Sequence, residues 1–523
     1  MLTRTAAAMS LWLISAVPSV NAAAPSEVRV EQGRIQGVAA TDPTITVFKG
    51  VPYAAPSTGE RRWRAPEPLL HWSGLRQASE FAAACPQRIT GARLPWTPEF
   101  MHRGAVAEDC LYLNIWTAKP RSGVALPVLV FIPGGGFLQG SGSVDVYNGE
   151  SLAAKGLVVV TINYRLGMLG YLAHPELSAE SKHHVSGNYG LLDQLAALRW
   201  VQRNIAAFGG DPHRVTVEGQ SAGATSIQLL MPSKLTKGLF QRAIVESGLD
   251  AGTIPGTAPE HPVMLVDAER AGAQFAEANH VASIAALRQL SVDEILALNS
   301  PPGAIPWRPI VDGYVVPQQF VTTNALGAEN DVPTIVGTNA DEGSAAPGYG
   351  RATIDEFDRQ AREVFGNRAD DFLRLYPARS DQEAAALQRT SRRELSWAAL
   401  DRNAAQRAKN SKHALYIFYF ARAMPWPEHP EYGAFHSSEL PYVFDNLRLS
   451  PHPFTPIDQS TARVMSSYWV NFVRSGDPNG PDLPVWPIYR DLHDFLVVSD
   501  EGIGAKTLID QTKLAALQDF LNR

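Results

Sequence analysis

Residues 208–223 read FGGDPHRVTVEGQSAG. A strand-like pattern at residues 215–218 runs into Gly-Gln-Ser-Ala-Gly at 219–223, and a helix-compatible run to Leu230 follows. The pentapeptide alone is a weak signal, because a chain with 41 glycines can contain G-x-S-x-G by chance. Its strand-turn-helix context, however, is the one in which a tight turn presents a serine hydroxyl above a sheet. Ser221 is therefore a candidate nucleophile.

Short apolar runs on both sides of this stretch predict the fold class. They lie at residues 128–132, 157–162, 215–217, 243–245, 333–336 and 415–420, with a helical pattern at 191–205. Such runs are typical of strands buried on both faces of a mostly parallel sheet, so we predict an α/β fold. The alternating text at 28–53 predicts short antiparallel strands. Helix-compatible stretches at 266–298 and 353–408 predict helical cap insertions over one end of the sheet.

The bulk composition excludes some classes of protein. The chain has 523 residues, 45% of them hydrophobic and 19% charged, which is typical of a globular protein with a large core. A net charge of -6 and the lack of any Lys/Arg run give no reason to expect a nucleic-acid partner. Since no Pro-, Gly- or Ser-rich linker divides the chain, we predict one unit over residues 25–523.

The first 24 residues predict a signal peptide. Arg4 precedes a short apolar stretch at 6–17, and small residues follow at 22–24. About a dozen apolar residues are too few to span a bilayer, which takes roughly 20, so we expect no membrane span. We expect a soluble enzyme exported to the bacterial periplasm or the medium. In that setting Cys85 and Cys110 form either one disulfide or two buried free thiols.

A glycine cluster at 134–136 follows the predicted strand at 128–132. It is either a flexible loop or a backbone cradle for an anion. A phosphate loop is excluded because no Gly-Lys-Ser/Thr follows it. In an esterase, such a loop points backbone N–H groups at a carbonyl oxygen as that oxygen becomes an anion.

The stretch 208–223 resembles the signature of type-B carboxylesterases, the cholinesterase-like branch of the α/β hydrolases. Residues 108–114, EDCLYLN, resemble the second signature of that family. Similar text lies at 48–54, 163–165, 188–205, 337–343, 433–444 and 476–479, so the resemblance covers nearly all of the mature chain.

The resemblance implies a site, position by position. Ser221 matches the nucleophile, Glu342 in TNADEG the acid, and His436 in GAFHSSELPY the base. The order Ser, Glu, His is that of α/β hydrolases, and a serine hydroxyl needs a histidine base that a carboxylate orients. The family's other site positions fall on the oxyanion donors Gly135, Gly136 and Ala222, the supporting residues Ser247 and Gln220, and the disulfide Cys85–Cys110.

Three positions depart from the family pattern. Pro133 stands where a histidine or tyrosine is usual, Gln220 where a glutamate is usual, and Glu218 where an apolar residue is common. Losing the charge at position 220 argues against a preference for choline esters.

The acyl pocket is a further expectation. An ungapped count back from residues 309–313, PIVDG, places Gly303 and Ile305 where cholinesterases carry two phenylalanines. Small residues there predict a roomy acyl pocket, unless the loops shift and Trp307 fills the space. Trp96 either walls the entrance to the site or packs in the core.

The sequence therefore predicts a serine carboxylesterase that acts on small-molecule esters. A binding protein that has lost catalysis is the main alternative, and retention of Ser221, Glu342 and His436 argues against it. An amidase or lipase would share the same site. His183 and His184 are adjacent, so their side chains diverge, and we expect no metal and no cofactor. The oligomeric state does not follow from the sequence.

Overall fold

The structure, a computed structural model, describes residues 26–89, 93–119, 123–248, 263–300, 305–320, 322, 330–490 and 494–521. The predicted signal peptide at 1–24 lies outside these ranges. Among the helices within them, none is both long enough and apolar enough to cross a membrane.

An eleven-stranded mixed sheet forms the centre of the protein, in the order β14-β13-β12-β11-β10-β9-β7-β8-β6-β4-β3, beside a small sheet of order β1-β2-β5. The strands are β1 (Glu27–Val30), β2 (Gly33–Gln36), β3 (Val38–Ala39), β4 (Ile45–Pro52), β5 (Leu75–Gln77), β6 (Tyr112–Ala118), β7 (Leu126–Ile132), β8 (Val158–Ile162), β9 (Gly210–Gln220), β10 (Arg242–Glu246), β11 (Thr334–Asn339), β12 (Leu415–Phe420), β13 (Phe495–Ser499) and β14 (Gly502–Lys506).

The middle of the large sheet, from β8 to β13, is parallel, and its flanking pairs are antiparallel. All six predicted apolar runs fall on strands of this parallel part, and the run at 415–420 coincides with β12. Nearly every residue of β7, β8, β11 and β12 is buried. A strand that is covered on both faces needs apolar residues at nearly every position, which explains these uninterrupted apolar runs. The predicted α/β-hydrolase class is confirmed.

The helices within the described ranges are α1 (Glu150–Ala154), α2 (Gly167–Tyr171), α3 (Pro175–Glu180), α4 (Tyr189–Asn204), α5 (Ala222–Leu230), α6 (Leu265–Ala278), α7 (Ile284–Gln289), α8 (Val292–Ala297), α9 (Ile354–Phe365), α10 (Ala369–Leu375), α11 (Asp381–Asn410), α12 (Leu440–Val443), α13 (Pro456–Ser475) and α14 (Gln511–Leu521). The predicted insertion at 266–298 forms α6 to α8, and the one at 353–408 forms α9 to α11.

Helices α4 and α5 cover one face of the central strands, where Gln194 donates to Ser226 across the two helices at 3.0 Å. Helix α13 covers the opposite face, and Trp469 on it reaches β9. Because parallel strands end at the same edge, loops that follow β7, β9, β10 and β11 meet there.

Cys85 and Cys110 are joined in a disulfide that closes a loop of sequence separation 25. This pairing resolves the alternatives left open by the sequence in favour of the bridge. Both half-cystines are buried. The disulfide therefore ties the end of a surface loop into the core just before β6.

Replacing both half-cystines, as in Cys85→Ala/Cys110→Ala, should lower the free energy of unfolding by about 3–4 kcal/mol, since the open loop gains conformational entropy in the unfolded chain. Urea unfolding of the variant and of the wild type measures this difference. Wild type unfolded in the presence of a reductant serves as the control and should match the variant. Two titratable thiols in denatured, unreduced wild type would contradict the prediction.

Candidate active site

Ser221 lies in the tight turn between β9 and α5. Its backbone adopts φ 58° and ψ -122°, and its N–H donates to the Glu246 carbonyl of β10 at 2.8 Å. A Cβ at Gly219 would stand 2.5 Å from the Gly223 carbonyl carbon, and one at Gly223 only 1.9 Å from the Ile132 oxygen. Only glycine fits at both positions, which explains the G-x-S-x-G spacing physically.

The glycine loop after β7 packs directly against this turn. A Cβ on Gly134 would lie 2.9 Å from Ser221 Cβ, and Gly135 and Gly136 adopt φ 108° and 64°. Within the described part of the chain, the N–H groups of Gly135 and Gly136 donate to no acceptor. The loop therefore brings free donors to the side of Ser221.

Gln87, a residue that our sequence analysis did not single out, holds this loop. Its side-chain amide donates to the Gly140 carbonyl at 2.9 Å and accepts from the Gly140 N–H at 2.9 Å. Gln87 lies two residues after Cys85, so the disulfide-closed loop and the glycine loop are pinned together. Its position beside Cys85 is the only signal in the sequence.

Glu342 follows β11 and holds its carboxylate with three donors on one oxygen. Ser247 Oγ at 2.6 Å, Thr338 Oγ1 at 2.7 Å and the Asn339 N–H at 2.8 Å all donate to Oε1. Oε2 is left for the Nδ1 of His436, in a short hydrogen bond. The three donors to Oε1 therefore fix the orientation of the carboxylate independently of its hydrogen bond to His436.

The charges in this pair reinforce one another. Burial opposes ionisation of Glu342, but the charge and hydrogen bond of His436, aided by the Ser247 and Asn339 donors, lower its pKa to about 2. Burial also disfavours the charged form of His436, and Glu342 outweighs that effect, so the pKa of His436 is raised. Glu342 is therefore ionised over a wide pH range and stabilises an imidazolium.

Asp341, the neighbour of Glu342, has a different role. It accepts from Arg393 at 2.7 Å, from the Tyr349 hydroxyl at 2.9 Å and from the Ala434 N–H at 3.1 Å. Asp341 therefore secures the loop that carries His436 and does not contact the imidazole.

Gln220 and Trp96 lie against His436. The Gln220 amide nitrogen, at the end of β9, lies 3.3 Å from His436 Nε2. In the neutral imidazole, where Nδ1–H donates to Glu342, Nε2 accepts the hydrogen bond from the Gln220 amide. Trp96 donates to the His436 carbonyl at 3.1 Å and sets its ring edge-on to the imidazole at 6.4 Å. Trp96 thus lies beside His436 and also packs against the hydrophobic core.

Of the two residues expected to line the acyl pocket, the structure describes one. Gly303 lies outside the described residues, and Ile305 is partly buried. Trp307 sets its ring edge-on to Phe275 of α6 at 5.2 Å. The PIVDG segment, from which Gly303 and Ile305 were counted, is held in place by Asn188. The Asn188 side chain donates to the Ile310 carbonyl and accepts from the Ile310 N–H.

Comparison with known proteins shows which family the chain resembles along its length. The profile of the carboxylesterase family matches residues 24–514. A fumonisin B1 esterase of Sphingopyxis macrogoltabida is 39% identical over 505 residues, covering 92% of this chain and 88% of the relative. A cocaine esterase of Homo sapiens is 34% identical (89% and 85% covered), and a para-nitrobenzyl esterase of Bacillus subtilis (strain 168) is 32% identical (91% and 95%).

The variants Glu342→Gln and Asp341→Asn form a matched pair that separates the roles of the two acids. Glu342→Gln removes the charge that favours imidazolium, so the pKa of His436 should fall. Asp341→Asn should leave that pKa unchanged and lower the free energy of unfolding by about 2 kcal/mol through its lost charged hydrogen bonds. NMR pH titration of ring-labelled histidine and thermal unfolding measure the two effects. An equal fall of the His436 pKa in both variants would contradict this division.

Proposed function

The chain belongs to the carboxylesterase family and is a serine carboxylic ester hydrolase, and we propose that it acts through a Ser221–His436–Glu342 triad and an acyl-enzyme intermediate. The observation that carries this proposal is the His436–Glu342 hydrogen bond, made at the edge of the sheet where Ser221 and the glycine loop meet.

In the proposed acylation step, Ser221 Oγ attacks the ester carbonyl carbon while His436 Nε2 takes its proton. Ser221 Oγ takes the place of the Gln220 amide at Nε2 in this step. Glu342 stabilises the imidazolium that forms. The alcohol then leaves with the proton from Nε2, which produces the acyl-enzyme.

In the deacylation step, water gives a proton to His436 and attacks the acyl carbon, and the acid leaves as Ser221 regains its proton. In both steps, the carbonyl oxygen becomes an anion. The free N–H groups of Gly135 and Gly136, with that of Ala222 at the start of α5, support an oxyanion hole there.

The alternatives differ in substrate and in catalysis. A binding protein without catalysis has no need of a carboxylate whose hydrogen bonds all orient it towards a histidine. An amidase or lipase would use the same residues, so substrate panels decide between them. The names of the relatives suggest fumonisin B1 and para-nitrobenzyl esters as members of such a panel.

We also propose that the protein is exported. A disulfide persists in an oxidising compartment, such as the bacterial periplasm, and is rare in the cytosol. The Cys85–Cys110 bridge supports that location together with the N-terminal sequence.

A fluorophosphonate should label one serine, Ser221, because an activated hydroxyl forms a stable tetrahedral adduct next to the oxyanion donors. Peptide mass spectrometry locates the label. Ser221→Ala should lose the label and at least about 10⁴-fold in kcat, the scale of a lost triad member. Ser247→Ala is the matched control and should still be labelled at Ser221. A label on another serine, or an active Ser221→Ala enzyme, would refute the triad.

Longer acyl chains should be preferred over acetate if small residues line the acyl pocket. Each additional buried methylene contributes about 0.8 kcal/mol, or roughly fourfold in kcat/KM. The measurement is kcat/KM for 4-nitrophenyl acetate, butyrate and hexanoate. Gly303→Phe should lose the longer substrates selectively, whereas the control Gly313→Ala should not change the order of preference. Acetate as the best wild-type substrate would contradict the roomy pocket.

A further inference from the structure

Two glutamates lie in the middle of the large sheet, directly behind the turn that carries Ser221, which we call the catalytic turn. Glu218 of β9 and Glu246 of β10 have no exposed surface. Glu218 pairs in register with Ile244, and Glu246 with Gln220. Because alternate residues of a strand share a face, both glutamates lie on the face that α13 covers.

The described residues supply almost no donors to these two carboxyl groups. Trp469 Nε1 of α13 donates to Glu218 Oε1 at 2.9 Å. Within the described ranges, no other residue donates to Glu218 Oε2 or to either oxygen of Glu246. Among the described residues, the remaining partner for these oxygens is the other carboxyl group, which lies on the adjacent strand and on the same face. A hydrogen bond between two carboxyl groups requires that one of them carries a proton.

The surrounding groups do not neutralise the pair. Glu439, at the start of α12, and Tyr147, after the glycine loop, are the other titratable groups that act on Glu246. Both are buried, and neither brings a positive charge. Two buried anions in contact would be strongly disfavoured, since like charges in one site cannot both ionise cheaply.

We propose that Glu218 and Glu246 hold one proton between them and act as a proton-dependent clamp that positions the catalytic turn. The shared proton joins β9 to β10 at the level where both strands reach the site. This role rests on the proposed function of Ser221. It also accounts for Glu218, which departs from the family pattern.

The clamp acts on the site through the backbone. The Glu246 carbonyl accepts the N–H of Ser221 at 2.8 Å, and the next residue, Ser247, donates to Glu342 at 2.6 Å. On the other strand, Glu218 is two residues before Gln220, which contacts His436. A repulsion between the two carboxylates would therefore displace the nucleophile and the supports of the acid and the base together.

The clamp makes stability depend on pH in a defined direction. Burial raises the pKa of Glu218 to about 7, and burial with the nearby Glu218 raises the pKa of Glu246 well above its usual range. A group with a raised pKa stabilises the fold fully below its unfolded pKa, and this contribution is lost as pH rises through the folded pKa. Stability should thus decline from mildly acidic to alkaline pH as the shared proton is lost.

Glu246→Gln tests the clamp, because an amide N–H can replace the shared proton and does not ionise. The Tm of Glu246→Gln should be close to that of wild type at pH 6 and exceed it at pH 9 by an amount on the order of 2 °C. The infrared C=O band of buried carboxylic acids should be present in wild type at pH 7 and weaker in Glu246→Gln. The ratio of kcat at pH 9 to kcat at pH 6, for 4-nitrophenyl butyrate, should be higher in the variant.

Glu246→Leu is the matched control. It removes the donor and leaves Glu218 as a single buried acid, so its Tm should be below wild type at both pH values. Parallel Tm curves for wild type and Glu246→Gln, or an unchanged carboxylic-acid band in that variant, would overturn the proposal. Neither readout requires Ser221 to be the nucleophile. A fluorophosphonate label elsewhere would therefore refute the triad and leave this result unaffected.

Discussion

The close contact of β7, β9 and α5 is the constraint on which the site depends. With 1.9 Å between the Ile132 oxygen and the place of a Gly223 Cβ, α5 begins directly against the end of β7. At the same place the glycine loop packs against Ser221, and the serine backbone has a positive φ of 58°. Such a conformation costs on the order of 1–3 kcal/mol, which the packing of α5 against the sheet must offset. This conformation places the Ser221 hydroxyl beside the free N–H groups of Gly135 and Gly136.

The sequence predicted most of the fold because the central strands are buried on both faces. Full burial leaves apolar runs that are hard to mistake, and β12 was predicted to the residue. The bounds of β9 were less accurate, since its first half, which includes Asp211 and His213, is polar and partly exposed. Ser221, Glu342 and His436 came from motifs. The sequence did not predict the role of Gln87 or the position of Trp96. Their partners, Gly140 and His436, lie on distant loops that only the folded chain brings together.

The electrostatics of the site place negative charge behind the histidine. Asn339 links two of the acids, donating its N–H to Glu342 and its side-chain amide to Glu439. Burial, together with the nearby Glu342, raises the pKa of Glu439 to about 7, so this second acid is partly neutral when Glu342 is charged. A single full anion beside the imidazole is sufficient to stabilise its cation. Additional anions would hold the proton too tightly for transfer to a leaving alcohol.

Gln220 is consistent with the same limit on charge. It faces His436 Nε2, the nitrogen that exchanges a proton with Ser221 and with the leaving group in the proposed mechanism. A carboxylate at this position would add a third acid around the imidazole and raise its pKa from the substrate side as well. An amide keeps that side of the imidazole neutral and adds no further charge that would raise the pKa of His436. The chain thus keeps its additional carboxyl groups, Glu218 and Glu246, one layer deeper, where a shared proton reduces their charge.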